Sequence, residues 1–449
     1  MRTTTTHAAK LTFPRGIHPP EHKELAETRS IEVIATPKKV AVPLLQHLGA
    51  PCEAVVKTRD MVEAGAVLGS SDAFISAPVH SPIAGKVIKA GVCTLPNGRH
   101  VPTVPVKADG DQLEGDAVWD AVFGGDWPTS GLDAHTPEAI VQAVRDAGIV
   151  GMGGAAFPTH VKLTRNDAKP IDTLMINGCE CEPYLTADDR LMREASAAII
   201  AGAILAARAA GAERVMIGIE ANKPEALEAM TSAAAGTGVE VVKVKTKYPQ
   251  GGEKQLIMAT LGRVVPTGGL PLDIGVVVSN VATSAAIAGA VLRGRPLTHR
   301  VLTVTGKGIA EPKNLLVPIG ISYGEIVDAC GGLTPDAVRV VAGGPMMGFS
   351  IGNLETPITK GSSGVLVLTR PEVDRAPETN CVRCGRCVDA CPLNLVPTKI
   401  ALASRHGDWE LAKKYHALAC MECGCCAHQC PASIPLVQLI RVGKAALSV

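Results

Sequence analysis

Apolar and polar positions change rhythm repeatedly along these 449 residues. From 31 to about 110, short Val, Ile and Ala runs alternate with turn signals: Glu63-Ala64-Gly65, Ser81-Pro82, Ala84-Gly85-Lys86 and Pro96-Asn97-Gly98. That pattern predicts a small all-β unit. An acidic, glycine-rich connection over 111–135 follows. Thr136 is then placed to N-cap a helix with Pro137 at its first position, Ile140, Val141 and Val144 as its apolar stripe, and Gly148 at its end. Continuous apolar runs predict strands over 173–177, 215–219, 239–245 and 275–279. Helical patterns lie between them at 224–235, 253–261 and 281–292, with a long Ala/Ile helix begun by Asp188 or Asp189 and ending near Gly211. This alternation predicts a mostly parallel sheet with helical crossovers. Over 296–370 the rhythm changes again, strands at 301–305 and 338–341 flanking a helix at 324–329, a small α+β module of β-grasp type in which Cys330, Met346 and Met347 read as packing residues.

Composition narrows the classes. Lys+Arg 44 against Asp+Glu 43 gives a formal charge of +1, which leaves no footprint for nucleic acid or an anionic membrane. Aromatic residues at 3% argue against base-stacking platforms. The longest uncharged run, 274–292, is long enough to span a bilayer, but Ser279, Asn280, Thr283 and Ser284 interrupt it. It reads as a buried strand followed by an Ala-rich helix. The opening residues 1–6 have no apolar core and do not read as a signal peptide, so the 14 cysteines are expected as reduced thiols that hold metal. Residues 1–30 read as an arm. Its His18 and His22 are separated by two prolines, which rules out a shared helical face and favours a surface loop.

Candidate chemistry concentrates at 148–183. Gly148-Ile-Val-Gly-Met-Gly-Gly-Ala-Ala-Phe-Pro-Thr-His-Val-Lys162 packs glycines where backbone N–H groups can approach an anion. Lys162 adds positive charge, and Glu180 and Glu182 in Asn177-Gly-Cys-Glu-Cys-Glu-Pro183 supply acceptors for ribose hydroxyls or ring N–H groups. The run 151–156 formally fits G-x-G-x-x-A, but that fingerprint needs a strand before it and a helix directly after. Here a helix precedes and Phe157-Pro158 follows, so a phosphate or flavin loop of another type is expected. Asn177, the 248–253 loop and Ser279-Asn280 all fall just past predicted strands, at the edge where open α/β sheets bind ligands.

Near the C-terminus, Cys381, Cys384, Cys387 and Cys391-Pro392, then Cys420, Cys423, Cys426 and Cys430-Pro431, both fit C-x2-C-x2-C-x3-C-P. Three thiolates of such a loop cap one cluster while the fourth completes the other. Cys381, Cys384, Cys387 and Cys430 are therefore expected to hold one [4Fe–4S] cluster, and Cys420, Cys423, Cys426 and Cys391 the second. Zinc prefers paired C-x2-C knuckles and fits less well. Cys425 has no slot in the pattern, and a helical stretch is expected over 400–418.

The segment 62–87 resembles the barrel-sandwich fold of biotinyl and lipoyl carriers, without the carrier-lysine hairpin, so Lys86 reads as a surface residue and the unit as a scaffold. Taken whole, from Gly16-Ile-His-Pro-Pro-Glu-His-Lys23 to the second cysteine run, the chain resembles the C subunit of the Rnf complex, a membrane-bound, ion-translocating ferredoxin:NAD oxidoreductase. Residues 137–345 are also similar to the flavin/NADH subunit of respiratory complex I, with its SLBB β-grasp module; that subunit carries Asp where Cys179 stands and a second Asn where Ser279 stands. The resemblance implies a multidomain α/β chain: an arm (1–30), a barrel-sandwich β domain and linker (31–130), a Rossmann-like FMN/NADH domain (131–295), an SLBB β-grasp (296–370) and a ferredoxin-like domain with two [4Fe–4S] clusters (371–449). It implies that Gly151, Gly153, Lys162, Asn177, Glu180, Tyr248, Gly251, Glu253, Asn280 and Thr283 line FMN, and that Gly154, Ala155, Phe157 and Glu182 face NAD(H). It further implies electron transfer between NAD(H), FMN and the clusters, docking on other membrane and iron–sulfur subunits from the cytoplasmic side, and ferredoxin as an indirect partner. A soluble reductase serving a cobalamin enzyme or an amino-acid reductase, and a flavin-free iron–sulfur relay, are the alternatives.

Overall fold

The structure is a computed structural model that describes residues 10–373 and 376–447; the stretch 1–6 lies outside them. The β unit comprises a five-stranded sheet built on Lys39–Pro43 and His100–Ala108 and a three-stranded sheet of Glu53–Ala54, Val67–Ser70 and Val79–His80. Val40, Val42, Leu68, Val79 and Val106 fill the space between them, and Lys86 is exposed as expected. One strand leaves the expected unit. Ile31–Val33 pairs in parallel with Lys313–Pro318 and so joins the six-stranded β-grasp sheet, whose other strands include His299–Thr305, Ala337–Ala342 and Gly364–Thr369. The connection after the barrel is also more ordered than its composition predicts. Asp116–Val122 is a helix whose Val118, Trp119 and Val122 pack on the central domain, and Trp127 beyond it stacks under the Arg293 guanidinium at 3.6 Å.

The central sheet runs Glu240–Val244, Arg214–Glu220, Thr173–Gly178, Val276–Asn280, all parallel. All four strands therefore end at one edge, and Asn177 stands in register with both Gly218 and Asn280. Thr136 caps the Pro137–Asp146 helix by accepting from Ala139 N, and Gly148 follows in the left-handed region. The long Ala/Ile helix is two helices, Ala187–Glu194 and Ser196–Ala210, because Ala195 turns to φ −133. Asp188 and Asp189 lie inside the first turn of the former, not at its cap. Gly202 faces the Val281–Arg293 helix so closely that a Cβ there would stand 1.7 Å from the Ser284 carbonyl oxygen. The uncharged run 274–292 is the buried strand and helix expected, and no helix among the described residues is long and apolar enough to cross a membrane.

In the cysteine-rich region the helical stretch is also divided. Pro397–Arg405 and Trp409–Lys414 are separated at Gly407, whose φ of 70 ends the first. Together with Leu436–Leu447 these helices enclose a small core containing Cys387, Cys391 and Cys426.

The arm is no surface loop. Ile17 bridges to Tyr248, Gly16 N donates to the Ala390 carbonyl, Tyr184 N donates to the Glu21 carbonyl, and Lys23 is buried. His18 is exposed while His22 stacks on Tyr184, so the two histidines form no pair. The apolar residues Phe13, Ile17 and Ala26 among the prolines are what bind the arm down.

Candidate functional site

The glycine-rich loop is closed at its base by Gly151 N donating to the Phe157 carbonyl at 2.8 Å and by a bridge between Val150 and Pro158. Gly153, Gly154 and Ala155 project into solvent from it. Met152 N donates to Thr283 Oγ1 at 2.9 Å, anchoring the loop on the Val281–Arg293 helix. Asn280 caps that helix, accepting from Ala282 N at 2.8 Å, while its amide donates to Asp188 Oδ2 at 2.7 Å. A Cβ on Gly153 would stand 3.3 Å from the Asn280 Cβ, so any side chain there would press on Asn280 by a few tenths of an ångström. Across the sheet edge, Asn177 Nδ2 donates to the Gly251 carbonyl at 2.7 Å, and half-buried Lys162 reaches the Val278 carbonyl at 3.4 Å. The glycine loop, Asn177, the 248–253 loop with Glu253 opening the Glu253–Leu261 helix, and Asn280 with Thr283 thus meet at the C-terminal edge of the parallel strands. This is where such a sheet binds a ligand.

The acidic loop is more committed than its sequence shows. Glu180, at φ 43, accepts from Asp188 N (2.8 Å) and Asp189 N (3.1 Å), supplying the cap that the Ala187–Glu194 helix otherwise lacks. Glu182 accepts from Met346 N (3.1 Å) and Met347 N (2.8 Å), so those methionines are not packing residues only; their amides join the β-grasp to the loop. Lys23, 157 residues before Glu180, donates from Nζ to the carbonyls of Glu180 (3.0 Å), Glu182 (3.1 Å) and Leu185 (2.5 Å). Burial pushes the Glu182 carboxyl up to about 7 and, with Glu180 beside it, the Asp188 carboxyl also to about 7. Burial, then the neighbouring Lys223, depresses the Lys23 ammonium. Cys179 and Cys181 are both pushed up, chiefly by burial, which favours the neutral thiol at each.

Two features fit a flavin nucleotide. The exposed glycine turn and Lys162, whose Nζ reaches the Val278 carbonyl, both stand at the strand ends, and the wholly buried Gln250 keeps both amide atoms without a partner inside the loop at the sheet edge. Gln250 and Lys23 are the residues that sequence reasoning passed over. The first sits in a turn whose signal comes from its glycines. The second lies far away in sequence, in a segment with no periodicity.

The iron–sulfur side fits its group as well. Cys391, Cys420, Cys423, Cys425 and Cys426 line one cavity, whose remaining wall includes Leu393, Leu395, Ile400, Val437 and Ile440. Four of these, Cys391, Cys420, Cys423 and Cys426, are the residues expected at the second cluster, and Cys425, which has no slot in the motif, lines the cavity with them. Of the other four, Cys387 lies in the same small core, Cys381 and Cys430 pack against it, and Cys384 is exposed. Tyr248 OH donates to the Cys423 carbonyl at 2.7 Å, which joins the flavin-side loop directly to the second cysteine run.

A parallel-sheet nucleotide edge abutting a two-cluster ferredoxin-like region defines a flavin and iron–sulfur oxidoreductase subunit. Family descriptions agree along the chain: RnfC barrel sandwich hybrid domain (residues 11–111), Nuo51 FMN-binding domain (144–289), SLBB domain (301–350) and 4Fe-4S dicluster domain (380–434). The C subunit of the "Proton-translocating ferredoxin:NAD(+) oxidoreductase complex" of Clostridium ljungdahlii is 44% identical over 96% of this chain and 93% of its own length. The C subunit of the "Na(+)-translocating ferredoxin:NAD(+) oxidoreductase complex" of Acetobacterium woodii is 42% identical over 96% of each. The C subunit of the "Ion-translocating oxidoreductase complex" of Rhodobacter capsulatus is 44% identical over 96% of this chain and 82% of its own. This chain belongs to the family of C subunits of the Rnf-type ion-translocating oxidoreductase complexes. A solved NAD+-reducing [NiFe]-hydrogenase shares its fold, with a TM-score of 0.51 at 22% identity over 72% of this chain and 68% of that one.

Proposed function

We propose that this chain is the NAD(H)- and FMN-binding peripheral subunit of a ferredoxin:NAD oxidoreductase complex, docked on the cytoplasmic side of the membrane and passing electrons between NAD(H), FMN and two [4Fe–4S] clusters. The contact of Tyr248 with the Cys423 backbone carries this reading, because it joins the nucleotide edge to a thiol-lined cavity by a single hydrogen bond. When bound, FMN supplies the conversion between two-electron and one-electron chemistry. The chain's own work is to bind, orient and insulate. Gly151, Gly153, Lys162, Asn177, Gly251, Glu253, Asn280 and Thr283 form the binding edge, and the exposed turn Gly154-Ala155 with Phe157 is the side open to a nicotinamide nucleotide. Glu180, Glu182 and Tyr248 act by holding the loops around that edge in place.

The loop Met421–Cys425 belongs to the second cysteine run and packs against Gly252 and Met346, so the cavity of Cys391, Cys420, Cys423 and Cys426 is the cluster site next to the nucleotide. The first run, with its exposed Cys384, is the outer one. The Lys162→Ala variant tests the binding edge. It is expected to lose FMN and NADH-dependent flavin reduction while iron per chain stays at the wild-type level. Loss of iron with normal flavin reduction would refute the assignment.

A further inference from the structure

We propose that the bare loop of the first cysteine run, Val382 to Arg386, is the surface on which this protein meets its one-electron partner, and that the partner's contact face is acidic. The inference rests on the electron route given above. The two runs are copies offset by 39 residues: Cys381 matches Cys420, and Pro392 matches Pro431. Their backbones match as well. Arg383 (φ 55) corresponds to Glu422 (φ 61), Gly385 (φ 79) to Gly424 (φ 83), and Asn394 (φ 55) to Ser433 (φ 51). The helices that follow, Pro397–Arg405 and Leu436–Leu447, begin at equivalent positions and pack on each other.

The surroundings of the copies are opposite. In the second, Cys423, Gly424, Cys425 and Cys426 are buried, covered by Tyr248, Gly252 and Met346. Its Glu422 is neutralised by Arg441 Nε at 2.9 Å and Lys444 Nζ at 2.5 Å. In the first, Val382 is 65% exposed, and Arg383, Cys384 and Arg386 are exposed. Neither Arg383 nor Arg386 has a side-chain hydrogen bond or ion pair among the described residues. The same folded loop is therefore docked once, on the side of the electron donor, and left undocked once, at the far end of the relay.

Charge decides what covers it. Arg15 lies beside the loop, its guanidinium donating to the Val388 carbonyl at 2.6 Å, and adds to Arg383 and Arg386. Within the run itself the one acid is Asp389, and Glu378, three residues before Cys381, is paired with Arg405 at 2.6 Å. A chain with net charge +1 thus carries a local excess of guanidinium around an exposed apolar residue and an exposed cluster-motif thiol. An acidic iron–sulfur protein or domain complements that face. In the NADH-oxidising direction, each electron leaving through this loop reduces the partner's one-electron centre, and two such transfers balance one NADH.

The test uses the anaerobically purified holoprotein and, as probe, the rest of its membrane complex prepared without it. Arg383→Glu/Arg386→Glu is expected to slow association by about 10- to 100-fold at low ionic strength and to flatten its salt dependence. Val382→Asp, which leaves both arginines in place, is expected to slow it in the same direction. Lys89→Glu, on the exposed face of the barrel, should leave it unchanged. Iron content and the EPR spectrum reached with NADH in the isolated variants should match wild type. Unchanged association and salt dependence in the double variant would overturn the proposal. So would arginine-dependent flotation of the wild type with anionic vesicles but no charge-sensitive association with the complex. Failure of NADH to reduce the clusters in the isolated wild-type protein would instead reject the electron route.

Discussion

Lys23→Met removes one ammonium and keeps most of the side chain's bulk, and the consequence is large because, among the described residues, no other side chain donates to these three carbonyls of the acidic loop. Nζ donates to three carbonyls within one turn of chain, those of Glu180, Glu182 and Leu185, at 3.0, 3.1 and 2.5 Å. Two loop residues, Glu180 and Tyr184, already sit at φ 43 and 70, where side chains other than glycine are strained. Methionine keeps the buried stem but leaves those carbonyls unpaired, at about 1 to 3 kcal/mol for each orphaned group. Relief of the lysine's own desolvation offsets part of this, leaving a net loss of about 3 kcal/mol. The loop also carries the cap of the Ala187–Glu194 helix and the contact to Met346, so the damage should reach the nucleotide edge. We expect FMN per chain to fall and the urea midpoint, followed by flavin fluorescence under anaerobic conditions, to drop accordingly. Lys23→Arg should recover part of both. A loss below about 1 kcal/mol with full FMN content would refute the reasoning, since it would mean the carbonyls find other donors at little cost.

Two further outcomes follow from close packing and from titration. Gly202→Val should destabilise the central domain by at least about 2 kcal/mol in thermal unfolding, because any Cβ there meets the Ser284 backbone and not a movable side chain. Glu182 is raised from 4.5 to about 7, so between those values the folded chain holds a proton that the unfolded chain has released. Stability is therefore fully favoured below that window, falls as pH rises through it, and levels off above about 7, by at most about 3 kcal/mol for this group. Glu182→Gln should flatten that fall in urea midpoints taken from about pH 5 to about pH 8, leaving the part due to Asp188, Glu180 and Glu220, which burial shifts in the same direction. An unchanged slope would refute the assignment to Glu182.

What the sequence made legible was local. The Thr136 cap, the glycine run, the strand ends at Asn177 and Asn280 and the twin cysteine runs are each encoded within a dozen residues, where periodicity, capping and ligand spacing operate. The expectation that Cys391 joins the second run also comes from the motif alone, and Cys391 lines the cavity that Cys420, Cys423 and Cys426 share. What remained hidden depends on distant partners. Nothing near Lys23 signals that it lies beneath Glu180 and Glu182, and nothing in the acidic loop signals that its carboxylates serve backbone amides at Asp188 and Met347. The same limit placed Ile31–Val33 in the barrel, although its edge is completed by Lys313–Pro318. In the connection at 111–135, acidic composition outweighed the apolar face of Val118, Trp119 and Val122, which exists only against the central domain.

The central claim is that a nucleotide edge and two clusters form one electron path in this chain. The most direct test is anaerobic purification with iron and flavin quantified, followed by NADH titration under visible and EPR spectroscopy. A single path predicts about eight irons per chain, bound FMN that bleaches with NADH, and cluster signals that grow in step with the bleaching. Eight irons with no flavin, even after FMN is supplied, and clusters silent to NADH would contradict it and reduce the chain to a relay.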